Sequence, residues 1–292
     1  MPSPWPALAL ARRCDGPRRV PLTLRADGVV AALGSVAVTD LDALRAFDDA
    51  VAIIAADAAV EIRLPRARRD ARLAEIHRAL RAEGRIHAWR DEAYPLRDLQ
   101  GGVHGVVERA SSRFWGLLTV GAHCNGYLAD AAGRPTHLWI ARRSYQKPTD
   151  PGRLDNLVGG GVPLGQTPRE AVLREGWEEA GLAPAQMQGL RAGGLIELAC
   201  DVPEGRQLEW LHVFDLCLPA DFRPRNTDGE VEEHLLMPVA EALARAAAGE
   251  QTTDAALATL DFALRHDLLG EAAPALAAAL DRLRPVAQHH SI

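Results

Sequence analysis

The stretch Val158–Leu182, VGGGVPLGQTPREAVLREGWEEAGL, decides how this chain is read. Gly159–Gly161 lead into a segment punctuated as a helix. Thr167 suits the N-cap, Pro168 the first helical position, and Glu170 completes a Thr-x-x-Glu capping box. Gly181 suits the left-handed residue that stops a helix, so the spacing predicts a helix over 168–180. On it Glu175, Glu178 and Glu179 stand at i, i+3 and i+4, within an arc of roughly 100°. Leu173, Trp177 and Ala180 fall on the opposite side and are expected to pack against a sheet, Trp177 serving packing and not chemistry. Like charges at such spacings repel by a few tenths of a kcal/mol per pair, a cost that a divalent cation would relieve. Hard oxygen donors suit Mg²⁺ or Mn²⁺. The bare glycines would let backbone approach a phosphate or metal, with the Gly160 carbonyl a candidate ligand. Spacing alone leaves a second reading open, a solvated acidic face.

Working outward, "VPLTLRADGVVAALG" alternates around Asp27–Gly28 and reads as a hairpin. "DLDALRAFDDAVAII" reads as a helix capped by Thr39 or Asp40, and "RDARLAEIHRALRAEG" as an amphipathic helix ended by Gly84. Residues 101–118 read as a connection. β-type runs follow in "LTVGAHCNGYLA" and "THLWIARRS", and again in "GGLIELACDV" and "LEWLHVFDLCLP". From Met237 onward the Ala- and Leu-rich sequence has helical spacing and ends in the polar "AQHHSI". The expected division is a small α+β domain over 1–110, a central domain over 111–240 and a helical extension over 241–292.

Composition narrows the function classes. The 292 residues, 48% hydrophobic and 25% charged, are those of a soluble globular protein. A formal net charge of −6 gives a nucleic-acid partner no overall support. Cys14, Cys124, Cys200 and Cys217 have no CxxC spacing, which argues against a zinc site or disulfide framework and for a reducing cytoplasm. No apolar run is long enough to span a bilayer, and the basic residues of the opening stretch follow its apolar patch, the wrong order for a secretory signal.

The quoted stretch resembles the Nudix hydrolase box, G-x5-E-x7-R-E-U-x-E-E-x-G-U with U bulky aliphatic. With Gly160 as its first glycine, Arg174, Glu175, Glu178, Glu179, Gly181 and Leu182 fall on the motif. Gln166 stands in place of the first glutamate and Gly176 in place of the aliphatic residue. The resemblance implies a Nudix α/β/α sandwich with a mixed sheet, α+β overall, preceded by the small domain and followed by the helical segment. It implies that Glu175, Glu178 and Glu179 bind the divalent metals. The first glutamate mostly supports loop geometry, so Gln166 is expected to preserve activity. Gly176 should soften the helix by roughly 1 kcal/mol relative to alanine. "WRDEAYPL", "ERA" at 108–110, "GAHCNGY", "LWIARRSYQKPTDPGRLDNLVGGG" and "NTDGEVEEHLLMPV" resemble a Nudix subgroup with an extra N-terminal domain, related to the Nudix region of fungal thiamine pyrophosphokinase fusions. That resemblance implies hydrolysis of thiamine diphosphate, or its oxo and oxy analogues, to monophosphates.

Within that frame Glu230, in "DGEVEEH", is the candidate general base or further metal ligand, against a solvated loop. Arg142, Arg143 and Lys147 are candidate diphosphate ligands. His123 and Asn125 are candidate substrate contacts, although a lone His in a strand reads first as a satisfied structural residue. Trp89, Tyr94 and Trp115 suit either the core or stacking on a cationic thiazolium ring. The implied partner is a small-molecule diphosphate, with no nucleic acid and no membrane, and a homodimer is left open. The N-terminal domain is expected to form one wall of the substrate pocket. ADP-ribose or a dinucleotide such as NADH is the alternative substrate, and a non-catalytic diphosphate-binding module the alternative role.

Overall fold

The computed structural model describes residues 5–54 and 58–285; the opening Met1–Pro4 and the tail "AQHHSI" lie outside them. A short helix α1 (Pro6–Leu10) is followed by strands β1 (Arg19–Ala26) and β2 (Val29–Ala37), helix α2 (Leu41–Leu44), β3 (Val51–Ile54) and β4 (Ala59–Ile62). Next come α3 (Arg66–Ala82), β5 (Ala93–Arg97), β6 (Val103–Glu108) and α4 (Ser111–Phe114). The second half begins with β7 (Leu118–Ala129), β8 (Pro135–Arg143), β9 (Leu154–Asn156), β10 (Val158–Gly161) and α5 (Pro168–Ala180). It closes with β11 (Arg191–Val202), β12 (Gly205–Cys217), β13 (Val231–Pro238), α6 (Val239–Ala247), α7 (Thr253–Arg265) and α8 (Ala273–Asp281).

The first half is a four-stranded sheet in the order β2-β1-β4-β3, with α3 and the separate β5–β6 hairpin around it. Asp27 and Gly28 both take positive φ, 54° and 77°, which is what a two-residue hairpin turn matching strand twist requires. The helix expected over 40–54 is only partly formed. Four α-helical residues and a 3₁₀ turn give way to β3, because the β-branched run from Val51 pairs with β4. The region read as a connection holds β6, paired to β5 before it, and α4 instead.

The second half is a seven-stranded mixed sheet, β11-β12-β7-β8-β13, with β10 paired to β7 and β9 to β8. Strands β12 and β7 run parallel, and β10 lies antiparallel to β7. Alternation along the strands sends Ala122, Cys124, Phe214 and Leu216 toward Ala171 and Val172 of α5. Leu211 and Val213 face the other way, onto Leu257 and Leu260 of α7. The result is the α/β/α sandwich expected, with the C-terminal helices as its second helical layer. Among the described residues no helix is long and apolar enough to cross a membrane.

Two joints fix the halves. The opening residues do not belong to the first sheet: Trp5 and Ala7 are buried in the core with α7, and Trp5 Nε1 donates to the Ala256 carbonyl at 3.0 Å. Beyond α1 the backbone runs beside β11, with Ala199 and Asp201 amides donating to the Ala11 and Arg13 carbonyls. At the second joint β2 meets the turn entering β7, where the Ser35 amide donates to the Trp115 carbonyl at 3.0 Å. A methyl group on Gly34 would overlap the Gly116 carbonyl and stand 2.7 Å from that of Trp115. Both obstacles are backbone, so no rotamer change relieves them. Gly34→Ala is therefore expected to destabilise the fold by about 1–3 kcal/mol, read as a lowered denaturation midpoint in urea; an unchanged midpoint would show that this joint yields freely.

Candidate active site

The helix α5 forms as its capping chemistry dictates. Thr167 Oγ1 accepts from the Glu170 amide, the Glu170 carboxylate accepts from the Thr167 amide, and Gly181 closes the helix at φ 66°. Its orientation differs from the expected one in one respect. The buried stripe is Ala171, Val172, Gly176, Glu179 and Ala180, whereas Trp177 is 55% exposed. The reason lies at Gly176, where a Cβ would stand 2.8 Å from Met187 Cε. Met187, from the turn after the helix, fills the place of an aliphatic side chain on α5, and the stripe then continues through Glu179.

That burial gives Glu179 its character. The residue is 5% exposed, and one carboxylate oxygen accepts from the Gly159 amide at 2.9 Å. Burial, followed by the nearby Glu175 charge, pushes its pKa well above the usual carboxylate range. Glu175 is raised also, by burial against the opposing pull of Arg174. Arg174 spans the other two sites: it donates to Glu175 at 2.8 Å, to Glu178 at 2.7 Å and to the Gln166 side-chain oxygen at 3.3 Å. Gln166 thus keeps its link to Arg174 as a neutral acceptor.

Strand β10 brings these groups together by having no side chains. Gly159 lies against the His123 ring, Gly160 against the Glu175 carboxylate and Gly161 against the Tyr94 hydroxyl; a methyl on Gly160 or Gly161 would overlap its neighbour. Across the cleft, Glu230 binds Lys147 at 2.5 Å and lies 3.5 Å from Arg90. Burial works to raise the Glu230 pKa, but the Lys147 hydrogen bond and charge hold it below the ordinary range. Lys147 also stands 3.9 Å from Glu179, bridging the helix to Glu230. Arg143 pairs with Asp155 at 2.9 Å and donates to the Thr149 carbonyl, so it shapes the loop that presents Lys147.

These residues surround one cleft of about 690 Å³, lined by Glu175, Glu230, Lys147, Arg143, His123 and Gly160 among others. Glu178, held by Arg174, and the buried Glu179 are not part of that lining, and two further candidates stand off the cleft altogether. Arg142 points to the other side of β8, paired to Glu233 at 2.6 Å. Asn125 is buried under α7, donating to Asp215 and to the Ala258 carbonyl. His123 is held by Asn156 at 2.8 Å. Of the three aromatics, Trp115 is core, bonded to His77, and Trp89 stacks under Arg81; only Tyr94 reaches the cleft. From the first half the pocket wall takes Arg90, Tyr94 and Arg109 around the β5–β6 hairpin, Leu10 and Arg13 at the end of α1 and beyond, and Ser112 and Arg113 of α4, with nothing from the described residues of the four-stranded sheet. Sequence reading passed over Arg90, Arg109, Glu209 and Asp254. Glu209 did carry a signal, a charge at the same strand parity as Leu211 and Val213.

Among the described residues no three His, Cys, Asp or Glu side chains form a ready-made metal cage. The donor chemistry nonetheless fits a hard divalent cation. Glu179 is a buried carboxylate with a single cation near it at 3.9 Å, and the bare Cα of Gly160 leaves an open edge beside Glu175. Magnesium retains several waters and needs few protein oxygens.

Residues 124–257 match the family profile described as the NUDIX domain. Nudix hydrolase 20, chloroplastic, of Arabidopsis thaliana is 34% identical over 202 residues, 68% of this chain and 53% of that protein. Nudix hydrolase 24, chloroplastic, of the same plant is 33% identical over 214 residues, 73% of this chain and 58% of that protein. The chain thus spans little more than half the length of these curated relatives. The crystal structure of DR0079 from Deinococcus radiodurans aligns with a TM-score of 0.44 at 23% identity, covering 64% of this chain and 99% of that one.

Because the Glu179 pKa is raised on folding, the folded state binds the proton more tightly than the unfolded one. Its contribution to stability is fully present at acid pH and is lost as pH rises through the folded value. In metal-free buffer, Glu179→Gln is expected to raise the melting temperature at pH 7.5 by a few degrees, with the gap closing toward pH 4. A lower melting temperature at pH 7.5 would show that the carboxylate is not a strained group.

Proposed function

We propose that this chain, whose residues 124–257 match the NUDIX domain profile, is a divalent-metal-dependent hydrolase of an organic diphosphate. The substrate we infer is thiamine diphosphate or its oxo and oxy analogues, cleaved to the monophosphate. The observation that carries the chemistry is Glu175 and Glu179 set against bare β10 backbone, facing the Lys147–Glu230 pair across one cleft.

In this reading Glu175, Glu178 and Glu179, with the Gly160 carbonyl, would hold Mg²⁺ or Mn²⁺. Such a cation supplies charge neutralisation on phosphate oxygens and a more acidic water. The chain's own residues do the rest. Arg174 orients Glu175 and Glu178 by its paired hydrogen bonds, restricting them to one geometry. Lys147 and Arg143 offer positive charge to the diphosphate, and Lys147 keeps Glu230 ionised and in place. An ionised carboxylate is acceptor-only, which suits Glu230 to take the proton of an attacking water. Arg109, partly exposed over the Tyr94 ring and paired to Glu92 at 2.8 Å, adds positive charge on the side of the first domain. His123 is a positioning contact beside Gly159. Cytoplasmic residence belongs to the same proposal and draws on four free cysteines.

The test is monophosphate and phosphate release from thiamine diphosphate, its oxo and oxy analogues, ADP-ribose and NADH, with and without Mg²⁺. Metal-dependent release from the thiamine compounds is expected. Glu175→Gln and Glu230→Gln should each lower kcat on the order of 10²-fold or more. Release from ADP-ribose or NADH alone would keep the hydrolase and discard the thiamine compounds. No release from any of them would leave a diphosphate-binding module.

A further inference from the structure

The stretches WRDE at 89–92 and ERA at 108–110 come together at the edge of the cleft, which Arg90 and Arg109 both line. One carboxylate joins them. Glu108 accepts from the Arg90 and Glu92 amides, one on each oxygen and both at 3.0 Å, and Arg109 pairs with Glu92 at 2.8 Å. The chain between is held in a demanding shape. Ala88 and Asp91, neither of them glycine, take φ of 55° and 56° on either side of Trp89 and Arg90. Left-handed backbone at such residues is costly and persists only where its surroundings impose it. Here they do: the Trp89 indole donates to the Asp91 carboxylate at 2.7 Å, and Arg81 lies over its ring at 4.8 Å. One residue past the stretch, the Ala93 carbonyl accepts from the Leu164 amide at 3.0 Å, a link to the loop that enters α5. The position of Arg90 is thereby set relative to the helix carrying Glu175, and not only within its own half.

The side chain so placed is uncommitted. Arg109 donates to Glu92, Arg143 to Asp155 and the Thr149 carbonyl, and Arg153 to the Gly249 and Gln251 carbonyls. The Arg90 guanidinium makes no hydrogen bond among the described residues, and the acid within its reach is Glu230, at 3.5 Å. Attraction at that distance leaves its N–H fork open to a pair of oxygens. Lys147 meets Glu230 from the sandwich, at the other carboxylate oxygen. Glu230 thus stands between a lysine that it bonds and an arginine that it only faces.

We propose that Arg90 is a catalytic residue supplied by the first half of the chain, its guanidinium binding the phosphoryl group under attack beside Glu230. The inference rests on the diphosphate-hydrolase reading of the cleft. Water adds to phosphorus as the P–O bond of the anhydride breaks; its proton goes to Glu230, and the electron pair of that bond leaves with the departing phosphate. Arg90 exchanges no proton, since a guanidinium stays charged throughout. It neutralises the phosphoryl oxygens by paired N–H contacts, and it offsets the Glu230 charge that would otherwise repel an anionic substrate. Lysine in its place would supply charge without the fork. The rigid mounting suits this task, because a donor fixed in advance needs no rearrangement when the charge develops.

The test uses the full chain and methylenediphosphonate, a diphosphate analogue that water does not cleave, its binding followed by calorimetry in the presence of Mg²⁺. Arg90→Ala should weaken that binding roughly tenfold, the scale of one charge-assisted hydrogen bond. It should also lower kcat/KM on the order of 10²-fold for whichever diphosphate is turned over. Added guanidinium ion should restore part of the rate lost in Arg90→Ala, and Arg90→Lys should recover binding more than rate. Melting curves that match the wild type show each variant folded. An arginine that merely holds Glu230 or its own loop would leave the affinity for the analogue unchanged and give no rescue, and that result overturns the inference. Wild-type turnover by Arg90→Ala overturns it as well, with the hydrolase reading intact. Binding of the analogue that depends on Arg90, without hydrolysis of any diphosphate, removes the hydrolase reading while the contact between Arg90 and the diphosphate stands.

Discussion

Everything in this site depends on a close approach between backbone and side chains. Strand β10 presents bare Cα atoms, and three unrelated elements press a polar group onto it: β7 sends His123, α5 sends Glu175 and β5 sends Tyr94. Any side chain at Gly160 or Gly161 would push one of these groups away. The glycines therefore act through the volume they leave empty, since none of the three adopts the left-handed backbone that glycine alone favours. Helix, strand and hairpin meet at a place where the chain has removed its own side chains.

The second organising force is unbalanced charge. Carboxylates crowd the cleft, and the fold holds them with basic side chains that each serve two or more partners. Arg174 spans Glu175, Glu178 and Gln166, and Lys147 spans Glu230 and Glu179. Where burial outweighs the bases within reach, it raises the affinity for a proton, as at Glu179 and Glu209. The cleft is thus electrostatically unfinished in two places, one on each side of the glycine floor. Such unfinished charge costs stability, the trade-off common at functional sites.

How much of this was legible in the sequence follows from the range of each interaction. The cap, start and stop of α5 are local chemistry and read directly from Thr167, Pro168, Glu170 and Gly181. The turn at Asp27–Gly28 is local too. Trp177 was misread because the side it occupies depends on Met187, which follows the helix and fills the hollow at Gly176. Residues 101–118 hid a strand because its partner precedes it across the Gly101–Gly102 turn and its alternation is short. Arg142 and Arg143 looked equivalent as neighbours, yet the strand period of two sends one to Glu233 and the other to Asp155. Glu209 and Asp254 lie far apart in sequence and meet only when α7 covers β12.

The packing of Trp5 against α7 has a topological consequence. Residues 5–13 lie in the sandwich, the chain departs after Arg13 to build the four-stranded sheet, and it returns at Leu118. The smaller unit is thus an insertion, not an appendage, and two covalent strands tether it instead of one. A doubly tethered body has less freedom to swivel than one joined by a single strand, which favours a constant spacing between Tyr94 and the β10 glycines. Such a unit cannot be shed by trimming from the amino terminus without also tearing out part of the sandwich core.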